Sequence, residues 1–573
     1  MLRRCAFIFF LSISILFSAP LERLYFEGNR ALSSNFLYRE LNLAIDKAWY
    51  DFSSDKSPKI KNSVIKPLKR NLIDLYKSEG FYNVSVEVLK GDRNITFKID
   101  EGRPVVVKSI TIKSDLDIKR FIPFRLEDRF VSKKFILSRE RIKEYLKQKG
   151  YCNYDLNTKA YVDLEKYSAK ILYDLKKNQR CKFGKIDITP LKTIRKRVIL
   201  SRLFYSENEF YDPKKIYKSY QNLLALDAFD TINIKESNFG DKINTKISLT
   251  PTSSKTSKNI GIGYETTYGL KSVFHWEERN FGGDAKKIAF DLKYSKNERY
   301  IKNTFFYPAF VKMDFWGRYF DFKNEFAYLD TDYDDFKEKK VVEILHFQRD
   351  LEKFFVDVGV DLESIKISKY SDNCAIDDGD FFLVSPYIRA IVDERDSKIY
   401  PKNGYYLSSY FESGLTYLGS SSSYSKLLAE GRIIKTINDF TIALKSKVGL
   451  IEEFDKSLPE SKLFFAGGSF SNRAYGYNKL GATDAKCDGV GGKTLLDSSL
   501  EIDHPIAGKF SFAVFWDSTM ISVHERDFNT DFVNAYGFGI RYNTLIGPLK
   551  LDLGFNSKDS SIYALHFQIG ESF

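Results

Sequence analysis

From Asn259 to the C-terminus, apolar side chains return at every second position, run after run, with polar loops or tight turns between the runs. In the last run Tyr563, Leu565, Phe567, Ile569 and Phe573 share one parity, and Ala564, His566, Gln568 and Gly570 share the other. The run 548–556 places Leu549, Leu551, Leu553 and Phe555 on one face and Lys550, Asp552 and Asn556 on the opposite one. A period of two with one wholly apolar face predicts strands between lipid and a polar lumen. Sixteen such strands are expected between 259 and 573, beginning with NIGIGYETTYG (259–269), and an even count suits a closed antiparallel barrel. Compact turns at 400–404, 504–509 and 546–549 belong at one end. The long connections near Asn373 and from about Glu453 to Gly492 belong at the other.

Before this region a different pattern recurs three times between Leu21 and Thr250: an alternating strand, two helical stretches, then two strands. The second helix of each copy ends in a small residue followed by an aromatic, at Gly80, Gly150 and Ala228. Glycine stops a helix in left-handed geometry without a Cβ clash, and alanine replaces it in the third copy. The spacings are 70 and 78 residues, so each copy is a module of about 75 residues with its own small core.

The N-terminus changes the setting. Arg3 and Arg4 precede an apolar run from Cys5 to Phe17, too short to span a bilayer as a helix, which is signal-peptide architecture with cleavage expected near Ser18 or Ala19. No later stretch has the ~18 apolar residues a membrane helix needs, so membrane residence falls to the barrel. The expected domains are a signal peptide at 1–19, modules at 20–104, 105–180 and 181–254, and a barrel at 255–573.

The net charge of +13 hides an asymmetry. Residues 20–258 hold 49 Lys and Arg against 30 Asp and Glu, or +19; the remainder beyond the two leader arginines holds 38 against 46, or -8. Export argues against nucleic acid as the partner of the basic part and favours anionic headgroups or an acidic protein. Four cysteines, Cys152, Cys181, Cys374 and Cys487, enter an oxidising compartment, where three pairings are open. An antiparallel hairpin in the second module brings Cys152 and Cys181 close, while Cys374 and Cys487 both fall in outer loops. The five histidines are scattered, without metal-ligand or triad spacing. No catalytic residue, metal site or cofactor is expected, and the chain does not read as an enzyme.

The FEGN of the first strand and the GFY after the second helix, three modules in tandem, and the segment FFAGGSFSNRAYGYNKLG (464–481) together resemble the outer-membrane assembly factor family, in which POTRA modules precede a barrel. WEERNFGGDAKK (276–287), VDERDSKIYPKNGYY (392–406), GPLKLDLGF (547–555) and HFQIGESF (566–573) extend the likeness. The resemblance implies α+β periplasmic POTRA repeats followed by an all-β transmembrane 16-stranded antiparallel barrel in the outer membrane of a Gram-negative bacterium. It also implies that the 464–481 loop folds back into the barrel as the family's sixth outer loop. Arg473 then takes the loop's arginine position, with Ala474 where glycine is usual, followed by Tyr475 and Gly476. If the family glycine has positive φ, Ala474 would be strained there. The implied acidic partner is Asp517 in the thirteenth strand. Parity agrees, since Phe510, Phe512, Val514 and Trp516 take the other face, and Glu501 and Asp503 are inward on the twelfth strand as further acceptors.

In such a family the first and last strands form a weak seam, here with Gly261, Gly263 and Tyr264 on one side and Phe567, Gly570 and Phe573 on the other. The implied role is insertion or translocation of unfolded outer-membrane protein clients, among them autotransporters, into the lipid bilayer. Three modules resemble the TamA type more than the BamA type, which implies a TamB-like periplasmic, inner-membrane-anchored partner. The alternatives are a two-partner-secretion exporter and, from another class, a passive porin or adhesin.

Overall fold

The computed structural model describes residues 21–43, 57–92, 94–265, 269–314, 317–333, 336–351, 354–370, 378–484, 487–544 and 547–569. The leader, Cys374, Gly570 and Phe573 lie outside them, and with Cys374 any pairing to Cys487.

In the first module Leu21–Glu27 pairs parallel with Asn94–Asp100, and Ser85–Lys90 lines the far side of that strand. A short strand, Lys59–Lys61, absent from the sequence reading, closes the other edge. Leu68, Leu72 and Tyr76 recur every fourth position along the helix Ile65–Ser78, and that stripe packs on Leu24, Phe26, Ile95 and Phe97. The second module repeats the plan with Val106–Ser114, Ser168–Lys176 and Asp155–Asp163 under the helix Ser132–Gln148. Its expected first helix is only a 3-10 turn, Lys119–Phe121. Pro123 explains this: it forces Ile122 into extended backbone, and the helix cannot propagate. The third module has helices Lys196–Ser201 and Pro213–Leu224 and the strands Lys182–Ile188, Lys242–Pro251 and Phe229–Phe239, in that sheet order.

The helix-ending signal has a second use, as a joint. The carbonyl of Gly80 accepts from Val105 N at 2.8 Å, that of Gly150 from Cys181 N at 2.8 Å, and that of Ala228 from Thr252 N at 2.9 Å. Gly80 and Gly150 have φ of 95° and 82°. A Cβ on Gly80 would meet Phe130 O at 2.4 Å and one on Gly150 would meet Tyr211 O at 2.7 Å, so both the turn and the joint need glycine. In the third copy the left-handed residue is Asp227, φ 51°, not Ala228. Aspartate tolerates that geometry better than alanine because its short polar side chain bonds locally.

Cys152 and Cys181 form a disulfide with Cα atoms 5.8 Å apart. It closes the open end of the antiparallel hairpin Asp155–Asp163 with Ser168–Lys176: Cys152 stands just before the one strand and Cys181 just after the other, immediately ahead of the third module's first strand. Cys181→Ser should lower stability around this junction by about 3 kcal/mol, from the loop entropy that a separation of 29 residues releases. Hydrogen exchange on the full chain should show faster opening at Gly150–Cys181 and unchanged rates in the first module; equal rates at the junction would show the bridge to be idle.

By internal contacts the chain forms two units, one running through Ile186 with Tyr205–Lys215 and Glu236–Thr245, the other holding Asp187–Phe204, Ile216–Lys235 and everything from Lys246. The second unit contains the barrel, sixteen antiparallel strands each bonded to its sequence neighbour, from Thr256–Glu265 to Tyr563–Ile569. The first strand is not 259–269 as expected: it ends at Glu265, and Gly269, with φ 65°, already opens the second strand. The burial pattern along Phe510–Ser522 alternates from Phe510 through Asp517, the bare apolar side meeting lipid.

Within this unit the helix Lys196–Ser201 is tied to the barrel strands. Pro308 cannot donate to a ladder, and pairing of the fourth strand, Glu298–Met313, breaks between Tyr307 and Val311. The freed amide of Ala309 donates to Asp321 at 2.8 Å, and Asp321 also accepts both terminal nitrogens of Arg202, one at 2.8 Å. Arg349 Nη2 donates to the carbonyl of Ser201.

Candidate functional site in the barrel lumen

The loop between the eleventh strand, Phe440–Glu453, and the twelfth, Thr494–Ala507, returns into the barrel. A bridge from Phe464 to Gly492 and another from Ala466 to Leu480 hold its limbs together. Gly467 and Gly468, with φ of 98° and 102°, turn the chain toward the tip. These two glycines and Asn478, φ 54°, carry the left-handed backbone here, and position 474 does not. Ala474 is buried, does not have positive φ, and donates from its amide to Asn472 Oδ1 at 3.3 Å, so alanine is unstrained there.

Arg473 lies fully inside the protein and uses every donor group of its guanidinium. Nε and Nη2 donate to the two oxygens of Asp517 at 2.9 and 2.8 Å, a bidentate pair. Nη1 donates to Glu501 at 2.6 Å, and Nη2 also reaches Ser499 Oγ at 3.0 Å. Its backbone amide donates to Asp517 at 3.0 Å, so this carboxylate holds both the main chain and the side chain of the tip. Ser499 donates to Asp517 at 2.6 Å, and the Phe515 ring centroid lies 3.4 Å from the guanidinium carbon.

A second tier completes the charge balance. Asp552 on the fifteenth strand, Gly547–Asn556, is 3.7 Å from Arg473. Arg541 on the fourteenth, Val533–Thr544, donates to Asp552 and, at 3.2 Å, to Glu501. Lys550 is buried in the same wall. Three cations thus face three carboxylates in a buried site, and this balance is what makes burial of so many charges tolerable. The cavity beside Arg473 is only about 20 Å³, room for about one water.

Glycines shape the seat. A Cβ on Gly554 would lie 2.3 Å from Arg473 O, and one on Gly537 would lie 2.3 Å from the Phe515 ring. The Arg473 carbonyl also accepts from His566 Nε2, at 3.2 Å, on the last strand. Tyr475 Oη accepts from Asn556 at 2.8 Å, and Gly476 turns away toward Lys479.

Asp503 does not join this group; it accepts from Tyr400 Oη at 3.3 Å. It sits two residues past Glu501, one pleat further down the same face. The seat's remaining members, Ser499, Phe515, Arg541, Lys550, Asp552, Gly554 and His566, were not assigned to it from sequence. All lie on inward parity, but parity alone does not say which strands' inward residues share a level.

Of the seam residues, Gly261 pairs with Val273, Gly263 with Lys271, Tyr264 with Leu270, and Phe567 with Leu551. In the sheet order the first and last strands each have one bonded neighbour among the described residues. Ile260 and Ile262 on the first strand are each 78% exposed, against 49% for Ile540 inside the sheet.

Comparison with known proteins agrees with this architecture. The model of the Omp85 superfamily domain matches residues 280–573, just over half of the chain, and a POTRA model, described as a surface antigen variable number repeat, matches 20–102. The outer membrane protein assembly factor BamA of Neorickettsia risticii (strain Illinois) is 21% identical over 236 residues, 39% of this chain. That match spans 31% of the relative's length. BamA of Neisseria meningitidis serogroup B is 19% identical over a match covering 97% of this chain and 78% of its own. Among solved structures, BamA from Haemophilus ducreyi lacking POTRA domains 1-3 superposes with a TM-score of 0.56 at 16% identity, over 82% of this chain and 100% of that one. The chain belongs to the Omp85 superfamily, with its barrel in the outer membrane and its POTRA modules in the periplasm.

Proposed function

We propose that this protein inserts β-barrel or autotransporter clients into the outer membrane by offering the edge of its first strand as a template. The observation that carries the reading is the seat of Arg473, built on the twelfth, thirteenth and fifteenth strands and bonded through its carbonyl to His566 on the last. Any movement of the loop tip therefore acts directly on one side of the seam. The other side, at Ile260 and Ile262, has no flanking strand among the described residues, and an unpaired edge accepts an incoming strand by augmentation. Positioning and strand exchange suffice for this work, so no catalytic residue, metal or cofactor enters it.

The three POTRA modules would receive the unfolded client or a TamB-like, inner-membrane-anchored partner. Three such modules favour a TamA-type over a BamA-type role.

Depletion of the protein in its native host, followed by surface labelling of autotransporters and heat-modifiability of outer-membrane barrels, tests the proposal. Both readouts should fall together. Unchanged levels of both would refute insertion; loss of one secreted exoprotein alone would assign a two-partner exporter, and large stable single channels from the purified protein would assign a porin.

A further inference from the structure

The loop that carries Arg473 has a second charged group buried in the lumen, on a different wall. Its residues Glu460–Lys462 form a single 3-10 turn, and all three are buried or nearly so. Lys462 Nζ lies 2.7 Å from Glu363 on the seventh strand, Phe355–Lys369, and 3.3 Å from Glu412 on the ninth, Asn403–Gly414. Lys426 on the tenth strand, Tyr424–Ile437, donates to the Lys462 carbonyl at 2.7 Å. Glu460 accepts the amide of Gly491 from the returning limb, so the two limbs close on each other at this level. Around them Leu458, Phe464 and Ala466 of the loop pack with Ile365, Leu383 and Ile451 of the wall.

The sheet order sets the geometry. Arg473 bonds the twelfth and thirteenth strands, and Lys462 the seventh and ninth, three to six places away in the sheet order. Arg473 and Lys462 therefore hold one loop to two separate stretches of the wall. We propose that Lys462 is a positioning residue, a second anchor that makes this loop a strut between two stretches of the lumen wall, so that the loop leaves its seat only when the Arg473 and Lys462 contacts are both broken. The inference deepens the insertion reading, which makes this loop the working part, but the strut stands on these contacts alone.

Lys462 does more than fill a charged wall. Glu363 has a second cation on its own wall, Lys340 at 3.5 Å, and Glu412 accepts from Tyr410 Oη at 2.7 Å. The wall thus has partners of its own, and what Lys462 adds is the tie between wall and loop.

The test uses the full chain in outer-membrane vesicles, with subtilisin added outside and cleavage between residues 453 and 492 followed in time. Glu363→Gln with Glu412→Gln leaves the loop sequence intact and should raise the cleavage rate on the order of tenfold, because a neutral pair no longer holds the ammonium. Lys462→Met should do the same, and Lys462→Arg should restore protection. Combining Lys462→Met with Arg473→Ala should expose the loop more than either alone. Cleavage in the double glutamine variant indistinguishable from wild type overturns the proposal. If that variant loses its heat-modifiable fold, Lys462→Met decides by the same reading, since the wall keeps Lys340. The assay contains no client. A strut that holds while clients fail to insert counts against the function, and an exposed-loop result in which insertion persists counts only for the strut.

Discussion

Arg473→Ala is expected to leave a barrel that still forms and migrates as a heat-modifiable species, while surface display of clients falls on the order of tenfold or more. The substitution removes one of three cations from a site that holds Glu501, Asp517 and Asp552, all of them buried. Breaking a buried ion pair by deleting one partner costs about 3–5 kcal/mol, most of it the stranded charge. That cost falls on loop seating, because the sixteen strands keep their own ladders. Arg473→Lys should recover little, since an ammonium cannot bond Asp517 through two nitrogens and Glu501 through a third. Normal autotransporter display in Arg473→Ala cells would sink the role given to the loop.

Gly554→Ala should expel the loop tip without touching a charge. The new methyl would stand 2.3 Å from Arg473 O and 2.5 Å from its carbonyl carbon, backbone against backbone, so neither side has a rotamer to relax into. Overpacking of this kind costs about 1–3 kcal/mol even where flexible side chains can give. The strand itself should not suffer, because alanine in a strand interior is no worse than glycine. The expected signature is a barrel of undiminished thermal stability whose loop is open to protease and whose Arg473 contacts are lost. A protected loop in this variant would mean that the seat is softer than its geometry.

Most of the architecture was legible because it rests on periodicity. A strand between lipid and lumen must alternate, so the inward parity of Asp517 followed from Phe510, Phe512, Val514 and Trp516 facing out, and that of Glu501 from the same alternation on its own strand. The module repeats were readable from helix stops that require glycine, and they failed where local chemistry competed: at Pro123, which shortens a helix to a turn, and at Asp227, which takes the left-handed position beside Ala228. Ala474 was expected to carry strain if its position took positive φ; Gly467 and Gly468 take that backbone instead, seven and six residues earlier in the same loop.

By itself, then, the chain determined that its second half is built of strands and which face of each is wet, since each of these is a matter of spacing along one strand; the arginine of the returning loop came from the family resemblance, not from spacing. Tertiary structure alone decided what shares a level inside the lumen: that Gly554 makes room for a carbonyl, that Arg541 and Asp552 complete the charges around Arg473, that His566 links the tip to the last strand, and that Lys462 reaches Glu363 on the seventh strand. Level depends on the stagger between neighbouring strands, summed around the barrel, and a period of two in each strand carries no record of that sum.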